Sequence, residues 1–116
     1  MEYLFIFNDA PYGNQRSYNG LRLAASLAKS AEAQLRVFLL GDGVLCGLDG
    51  LHPAHADYNP QEMLRHLGSR GVTIAACSTC LEARGIAEEA LLEGVRRSTL
   101  EELTSWTLTA AKVISF

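Results

Sequence analysis

The sequence lacks long apolar runs, basic clusters and a surplus of proline. Its longest apolar stretches, residues 3–7 and 37–40, are strand-sized, whereas a membrane-spanning helix needs roughly 20 apolar residues. Lysine and arginine total 10 against 13 aspartates and glutamates, a net charge of −3, so we expect neither a nucleic-acid nor a membrane partner. With three prolines, 48% hydrophobic and 20% charged residues, the composition is typical of a compact globular domain.

Cysteine is also scarce, since only Cys46, Cys77 and Cys80 are present. The first apolar run has no basic segment ahead of it, unlike that of a secretory signal peptide. We therefore expect a cytoplasmic protein. Its cysteines are then expected to be free thiols, metal ligands or transient redox groups rather than permanent disulfides.

The hydrophobic pattern alternates between buried strands and amphipathic helices. Apolar runs predict strands at residues 3–7, 35–41, 72–76, 94–97 and 112–116. Helical spacing predicts helices at residues 16–31, 60–70 and 98–110, with one or two further turns within 81–93. Asn59 and a capping box from Ser98 to Glu101 are expected to begin the second and third helices. This alternation predicts one α/β domain over residues 1–116, with five parallel strands covered by helices on both faces.

Polar and reactive residues follow three of the predicted strands. Residues 8–13 follow the first strand, 41–43 the second and 77–80 the third. Because ligands of open α/β sheets bind beyond the carboxyl ends of the strands, we expect a functional site there.

Cys77 and Cys80 form a C-x-x-C pair for which several interpretations stay open. A structural zinc site would need two more ligands, and Cys46, His52, His55 and His66 lack the usual spacing to supply them. A thioredoxin-like redox pair normally follows the first strand and opens a long helix, whereas this pair follows the third predicted strand. Both residues could also be small, partly buried core side chains.

Cys77 is the favoured nucleophile of the two. It lies at the carboxyl end of a strand, where the backbone N–H groups of a following helical turn would lower the pKa of a thiol. Asp42 could orient a group of the site or hydrogen-bond a turn, Tyr12 could close over a ligand or pack, and Arg84 could hold an anionic sulfur carrier or stay solvated.

Several motifs together resemble the DsrE/DsrF-like sulfur-relay family, and in particular its YchN-type branch. They extend over nearly the whole chain, at residues 10–13, 21–24, 39–42, 77–80 with 84–86, 106–108 and 112–116.

The resemblance implies a three-layer α/β/α sandwich with a mainly parallel five-stranded sheet of flavodoxin-like topology. It also implies homotrimers or homohexamers, and a cysteine after the third strand that carries sulfur as a persulfide between partner proteins. Cys77 best matches that cysteine. The family pattern does not account for Cys80, and our hypothesis is that it resolves the persulfide or protects Cys77 from further oxidation. Asn8, Tyr12, Gly13, Asp42 and Arg84 are the candidate ligand-binding residues.

The sequence therefore predicts a sulfur carrier that uses neither a cofactor nor a metal. Its possible partners are copies of itself and sulfur donor or acceptor proteins. The alternatives are a non-catalytic oligomer that binds a small ligand or partner, and a thiol–disulfide or metal-binding module.

Overall fold

The computed structural model of the protein describes residues 1–54 and 57–116. Its sheet has five strands, and every neighbouring pair is parallel. The strands are β1 Glu2–Phe7, β2 Gln34–Leu39, β3 Thr73–Cys77, β4 Val95–Ser98 and β5 Lys112–Ser115. The predicted five-stranded parallel α/β sheet is therefore confirmed.

In the described part of the chain, four α-helices connect or flank the strands. They are α1 Arg16–Leu27, α2 Pro60–Ser69, α3 Ser78–Ala83 and α4 Leu100–Thr109. Two 3₁₀ segments, Gly41–Gly47 and Glu88–Ala90, complete the connections. Within the described residues, no helix is long and apolar enough to cross a bilayer.

The strand order, β4-β3-β2-β1-β5, corrects one part of the expected topology. A flavodoxin-like sheet has the order 2-1-3-4-5, so its chain reverses direction after the second strand. Here the chain advances in one direction from β1 to β4 and crosses back only to place β5 beside β1. Hydrophobic periodicity carries no information about strand order, which explains why the sequence pattern did not predict it.

The two faces of the sheet are covered differently as a consequence of this order. Right-handed crossovers place the helices between β1 and β4 on one face and α4 on the other. Accordingly, Gly20 of α1 lies directly against the Phe7 ring. On the opposite face, Trp106 of α4 meets Phe38 edge-on, with ring centroids 6.0 Å apart. Helices on both faces form the predicted three-layer sandwich.

The central strands are buried on both faces, as their continuous apolar runs predict. Phe5, Phe7, Val37, Phe38 and Leu39 are all 0% exposed. Burying each such side chain contributes about 1.5–3 kcal/mol to folding, so these strands form the rigid base on which the connecting loops are held.

Three helix boundaries differ from the predicted ones by two residues or more. Helix α1 ends at Leu27 rather than Ala31, because Ala31 is exposed and a longer helix would bury nothing more. Helix α3 begins at Ser78, directly after β3, and not at Leu81. Thr99 rather than Ser98 caps α4, accepting a hydrogen bond from the Glu102 N–H at 3.2 Å.

Ser98 is the last residue of β4, and its pairing with Cys77 of β3 holds it in the sheet and away from the cap position. At α2 the prediction is confirmed, since the Asn59 side chain caps the helix through the Glu62 N–H at 3.2 Å.

Candidate functional site

Cys77 lies at the junction between β3 and α3, at the carboxyl end of the sheet. Its backbone is extended, and the next residue begins the helix. The side chain is 5% exposed, and its Sγ lies 3.2 Å from Oγ1 of Thr79. The strand therefore holds Cys77 in place, while the first turn of α3 supplies a hydroxyl partner for its sulfur.

Cys80 comes three residues later, inside α3, and its sulfur bonds to a neighbouring strand connection. The backbone N–H of Gly41 donates to Cys80 Sγ at 3.2 Å. This contact follows from the register of the sheet, because Leu39 of β2 pairs with Ala76 of β3 and the residues after each strand meet. Both cysteines are free thiols, and Cys80 is the more exposed of the two.

The pKa values of the two thiols are shifted in opposite directions. Partial burial opposes ionisation of Cys77, but hydrogen bonding from the Cys80 thiol and the Thr79 hydroxyl outweighs it. The backbone N–H groups of Thr79 and Cys80 add to this effect, although neither makes a formal capping bond to the Cys77 side chain. The net result lowers the pKa of Cys77 below its ordinary value.

Cys80 is shifted in the other direction. Burial and the hydrogen bond that it shares with Cys77 raise the pKa of Cys80, while the Gly41 N–H and the nearby Arg84 partly offset the rise. Cys77 is therefore the first of the pair to form a thiolate as the pH rises, and Cys80 is then a proton donor toward it.

Two predicted ligand-binding residues, Asp42 and Arg84, bind each other. Arg84 Nε and Nη2 donate to Asp42 Oδ1 at 3.0 and 2.8 Å, and Nη1 donates to the Cys80 carbonyl oxygen at 3.0 Å. The structure thus brings both residues to the cysteine pair, as an ion pair.

Asn8 occupies the carboxyl end of β1, next to the same strand connection. Its backbone N–H and its Nδ2 both donate to the main-chain oxygen of Phe116, at 2.8 and 3.1 Å. Its described contacts therefore tie β1 to the residue that follows β5.

Tyr12 and Gly13 belong to a different neighbourhood. The Tyr12 hydroxyl lies 3.3 Å from the Tyr58 carbonyl oxygen and 3.4 Å from Gln61 Oε1. The rings of Tyr12 and Tyr58 are 5.4 Å apart, and Tyr18 stacks on Tyr58 at 4.4 Å. Gly13 has a φ of 107° and makes the turn that leads to α1. These contacts join Tyr12 to the α1–α2 side of the sheet, and none of them involves the cysteine pair.

Cys46 is the third thiol and lies in the 3₁₀ segment after β2. It is 1% exposed, and its Sγ donates to the main-chain oxygen of Asp9 at 3.4 Å. Burial raises the pKa of Cys46 to about 11, although the Ser17 hydroxyl partly opposes the rise. Its contacts are those of a core residue.

Sequence reasoning missed Thr79 as a partner of Cys77 and Gly41 as a donor to Cys80. The Thr79 contact had a local signal, because the side chain of the residue before a helix commonly lies over the second and third helical residues. The Gly41 contact had none, because it joins residues 39 positions apart.

A metal site has no supporting cluster in the part of the chain that the structure describes. No group of three or more histidine, cysteine, aspartate or glutamate side chains there is placed to share an ion. His66 lies in the last turn of α2, and His52 lines a small cavity beside Asn59 and Arg65. His55 lies outside the described residues.

A cavity of about 310 Å³ lies at the opposite end of the sheet. Glu2, Arg36 and Thr73 line it, at the amino ends of β1, β2 and β3. Its volume alone would make this cavity a candidate for the functional site. The chemistry favours the carboxyl end, where the strand ends gather the two thiols and their donors.

The whole chain is similar to known proteins. A model of the DsrE/DsrF-like family matches residues 1–116. The chain belongs to the DsrE/DsrF-like family. It is 42% identical to Protein YchN of Escherichia coli strain K12 over 114 residues, 97% of each chain. It is also 31% identical to a Protein TusC homolog of Vibrio parahaemolyticus, covering 97% of this chain and 96% of that protein.

Solved structures show the same fold. The crystal structure of the E. coli YchN protein superposes with a TM-score of 0.90 at 42% identity, covering 100% of both chains. A protein of unknown function from Methanobacterium thermoautotrophicum superposes at 0.75 with 21% identity, covering 99% of this chain and 98% of the other. The family resemblance and the DsrE-like α/β fold are therefore confirmed.

Proposed function

We propose that this protein is a cytoplasmic homo-oligomeric sulfur carrier that holds sulfane sulfur as a persulfide on Cys77. Family membership and the similarity to a TusC homolog support a place in sulfur relay. The observation that carries the proposal is the surroundings of Cys77, where hydroxyl, thiol and amide donors stabilise a thiolate at the carboxyl end of β3.

Sulfur uptake on Cys77 requires one displacement. The thiolate of Cys77 attacks the outer sulfur of a donor persulfide, R–S–SH, and the bond between the two donor sulfurs breaks. The products are the Cys77 persulfide and the donor thiolate, R–S⁻. Delivery repeats the step with an acceptor thiolate, which receives the outer sulfur and regenerates the Cys77 thiolate. No electrons are gained or lost overall, so the cycle needs no cofactor.

The limited exposure of Cys77 restricts which donors reach it. Cys77 is 5% exposed, so little of its surface is open to a donor. A persulfide at the tip of an extended side chain or small molecule satisfies this restriction better than a thiol held within a flat protein surface.

Cys80 has two possible roles once sulfur is bound. As a resolving thiol it attacks the Cys77 sulfur, forms a Cys77–Cys80 disulfide and releases hydrogen sulfide, which balances without a further oxidant. As a protecting neighbour it donates a hydrogen bond and limits further oxidation of Cys77. Its raised pKa, from burial and its bond to Cys77, favours the second role at neutral pH, because the attacking species would be a thiolate.

Self-association forms part of the proposal. Leu100 and Leu108 of α4 are 66% and 82% exposed, and Val113 of β5 is 43% exposed. Apolar side chains on neighbouring elements support a contact between copies, in line with the trimers or hexamers that the family resemblance implies. Sedimentation of the wild-type protein beside a Leu108→Glu variant tests this part, and a wild-type monomer would contradict it.

The second candidate function is a non-catalytic oligomer that binds a small ligand or partner. The low exposure of Cys77 and the mutual pairing of Asp42 with Arg84 favour it, because neither arrangement presents a free reactive group.

Persulfide trapping separates the two candidates. The wild-type protein and its Cys77→Ser, Cys80→Ser and Cys46→Ser variants are incubated with a low-molecular-weight persulfide, alkylated and mapped by mass spectrometry. The carrier predicts sulfur on Cys77, its loss in Cys77→Ser, and its retention in the other two variants. A wild-type Cys77 that never gains sulfur would exclude the carrier and leave the binding protein.

A further inference from the structure

We propose that Asp42 and Arg84 are positioning residues, whose ion pair fixes the Cys80 sulfur against the Gly41 amide. The sequence pattern predicts instead that both bind a ligand. The consequence of this positioning for sulfur transfer rests on the proposed function. The positioning itself can be tested through the ionisation of the Cys80 thiol, without any sulfur transfer.

The contacts form a closed ring between two connections of the sheet. Arg84 binds Asp42 through two nitrogen atoms and the Cys80 carbonyl oxygen through the third. Asp42 is covalently joined to Gly41, whose N–H donates to Cys80 Sγ at 3.2 Å. Each bond of the ring thus restrains the same separation, that between the Gly41 amide and α3.

Arginine suits this ring because its planar guanidinium presents donors in fixed directions. A lysine could meet either Asp42 or the Cys80 carbonyl oxygen, but a single ammonium would not reproduce the two-nitrogen contact with Asp42. Only one partner is shielded, since the Arg84 side chain is 30% exposed and the Asp42 side chain 62%.

Few other charges face the cysteine pair among the described residues. Glu82 of α3 is bound by Arg97 of β4, which neutralises it locally. The ionisable groups in direct contact with the ring are therefore Asp42, Arg84 and the two thiols.

The decisive experiment measures the direction in which the titration midpoint of Cys80 shifts. In a Cys46→Ser, Cys77→Ser background, Cys80 is the only thiol, and its alkylation rate by iodoacetamide is followed against pH. Removing Arg84 (Arg84→Gln) raises the midpoint in any electrostatic account, because a nearby positive charge is lost. Removing Asp42 (Asp42→Ala) distinguishes an effect of charge alone from an effect of positioning.

Charge alone predicts that Asp42→Ala lowers the Cys80 midpoint, because a negative charge disappears. Positioning predicts that the midpoint rises, because Arg84 and the Gly41 amide are no longer held against Cys80. We expect a rise of about 0.5 pH unit, which slows alkylation below the midpoint about threefold. In Arg84→Lys the Cys80 midpoint is expected to lie between the midpoint of Arg84→Gln and that of the background protein.

The exposed pair Asp49–Arg65 is a matched control. Its atoms Asp49 Oδ1 and Arg65 Nη2 lie 3.2 Å apart, and its side chains are 59% and 46% exposed. Asp49→Ala and Arg65→Gln are expected to leave the Cys80 midpoint unchanged, and thermal unfolding of all variants confirms that they fold.

An unchanged or lowered midpoint in a folded Asp42→Ala variant would overturn the proposal. The titration involves no persulfide, so its result is independent of sulfur uptake. If Cys77 never carries sulfur but the midpoint rises, the function fails and the positioning stands. If sulfur is carried but the midpoint falls, the reverse holds.

Discussion

Cys77 and Cys46 are both buried cysteines, yet their surroundings favour opposite ionisation states. The sulfur of Cys77 is close to a hydroxyl, a thiol and backbone N–H groups, and its pKa is lowered. The sulfur of Cys46 faces the carbonyl oxygen of Asp9, and burial raises its pKa to about 11. A donor stabilises a thiolate, whereas a carbonyl acceptor stabilises the protonated thiol. Burial therefore dominates at Cys46 and keeps its thiol protonated, whereas at Cys77 the hydrogen-bond donors outweigh burial and favour the thiolate.

The largest expected effect is a difference in alkylation rate between these two thiols. At pH 7 a thiol of pKa about 11 is ionised in about one molecule in 10,000, and an ordinary thiol of pKa about 8.5 in about one in 30. The pKa of Cys77 is lowered from its ordinary value. We expect iodoacetamide to modify Cys77 at least ~100-fold faster than Cys46, as measured by peptide mass mapping of the native protein. The Cys77 rate should level off once the pH passes its lowered pKa, whereas the Cys46 rate starts far lower and should keep rising about tenfold per pH unit up to about pH 11. Comparable rates at pH 7 would remove the distinction.

A smaller effect is expected from removing one donor to Cys77. Thr79→Val deletes the hydroxyl 3.2 Å from Cys77 Sγ while keeping a side chain of similar shape. The pKa of Cys77 should rise, and its alkylation at pH 7 should slow about threefold, which corresponds to about 0.5 pH unit. Thr104→Val is the control, because the Thr104 hydroxyl donates within α4 to the Leu100 carbonyl oxygen. An equal change in both variants would show that Thr79 acts only through the stability of its helix.

The smallest effect is expected in the cluster formed by Tyr12, Tyr18 and Tyr58. Tyr12→Phe removes a hydroxyl that contacts Tyr58 and Gln61, and none of its described contacts is with the cysteine pair. We expect unchanged sulfur uptake, with a loss of about 0.5–1.5 kcal/mol in the free energy of unfolding, measured by urea titration. A clear loss of uptake in a stable Tyr12→Phe variant would instead return Tyr12 to the ligand-binding role that its sequence position suggests.

Much of the fold follows from local sequence features. Continuous apolar runs marked β1, β2 and β3, and the residues Asn59 and Pro60 marked the beginning of α2. These features are local because burial and capping depend on residues within a few positions.

The arrangement of the site depends on long-range contacts. The Asp42–Arg84 pair joins residues 42 positions apart, and it forms because β2 and β3 are neighbours in a particular register. The hydrophobic periodicity of the sequence predicts neither that register nor the strand order. The sequence could therefore place the cysteines at the correct end of the sheet, but it could not show that the residues expected to bind a ligand bind each other.

The central claim is that Cys77 is the sulfur-carrying thiol, and one site-resolved measurement tests it most directly. The wild-type protein is exposed to a small persulfide, and the sulfur content of all three cysteines is compared in the same sample. The account predicts one added sulfur atom on Cys77 and none on Cys46. Sulfur spread equally over the three thiols, or absent from Cys77, would contradict it.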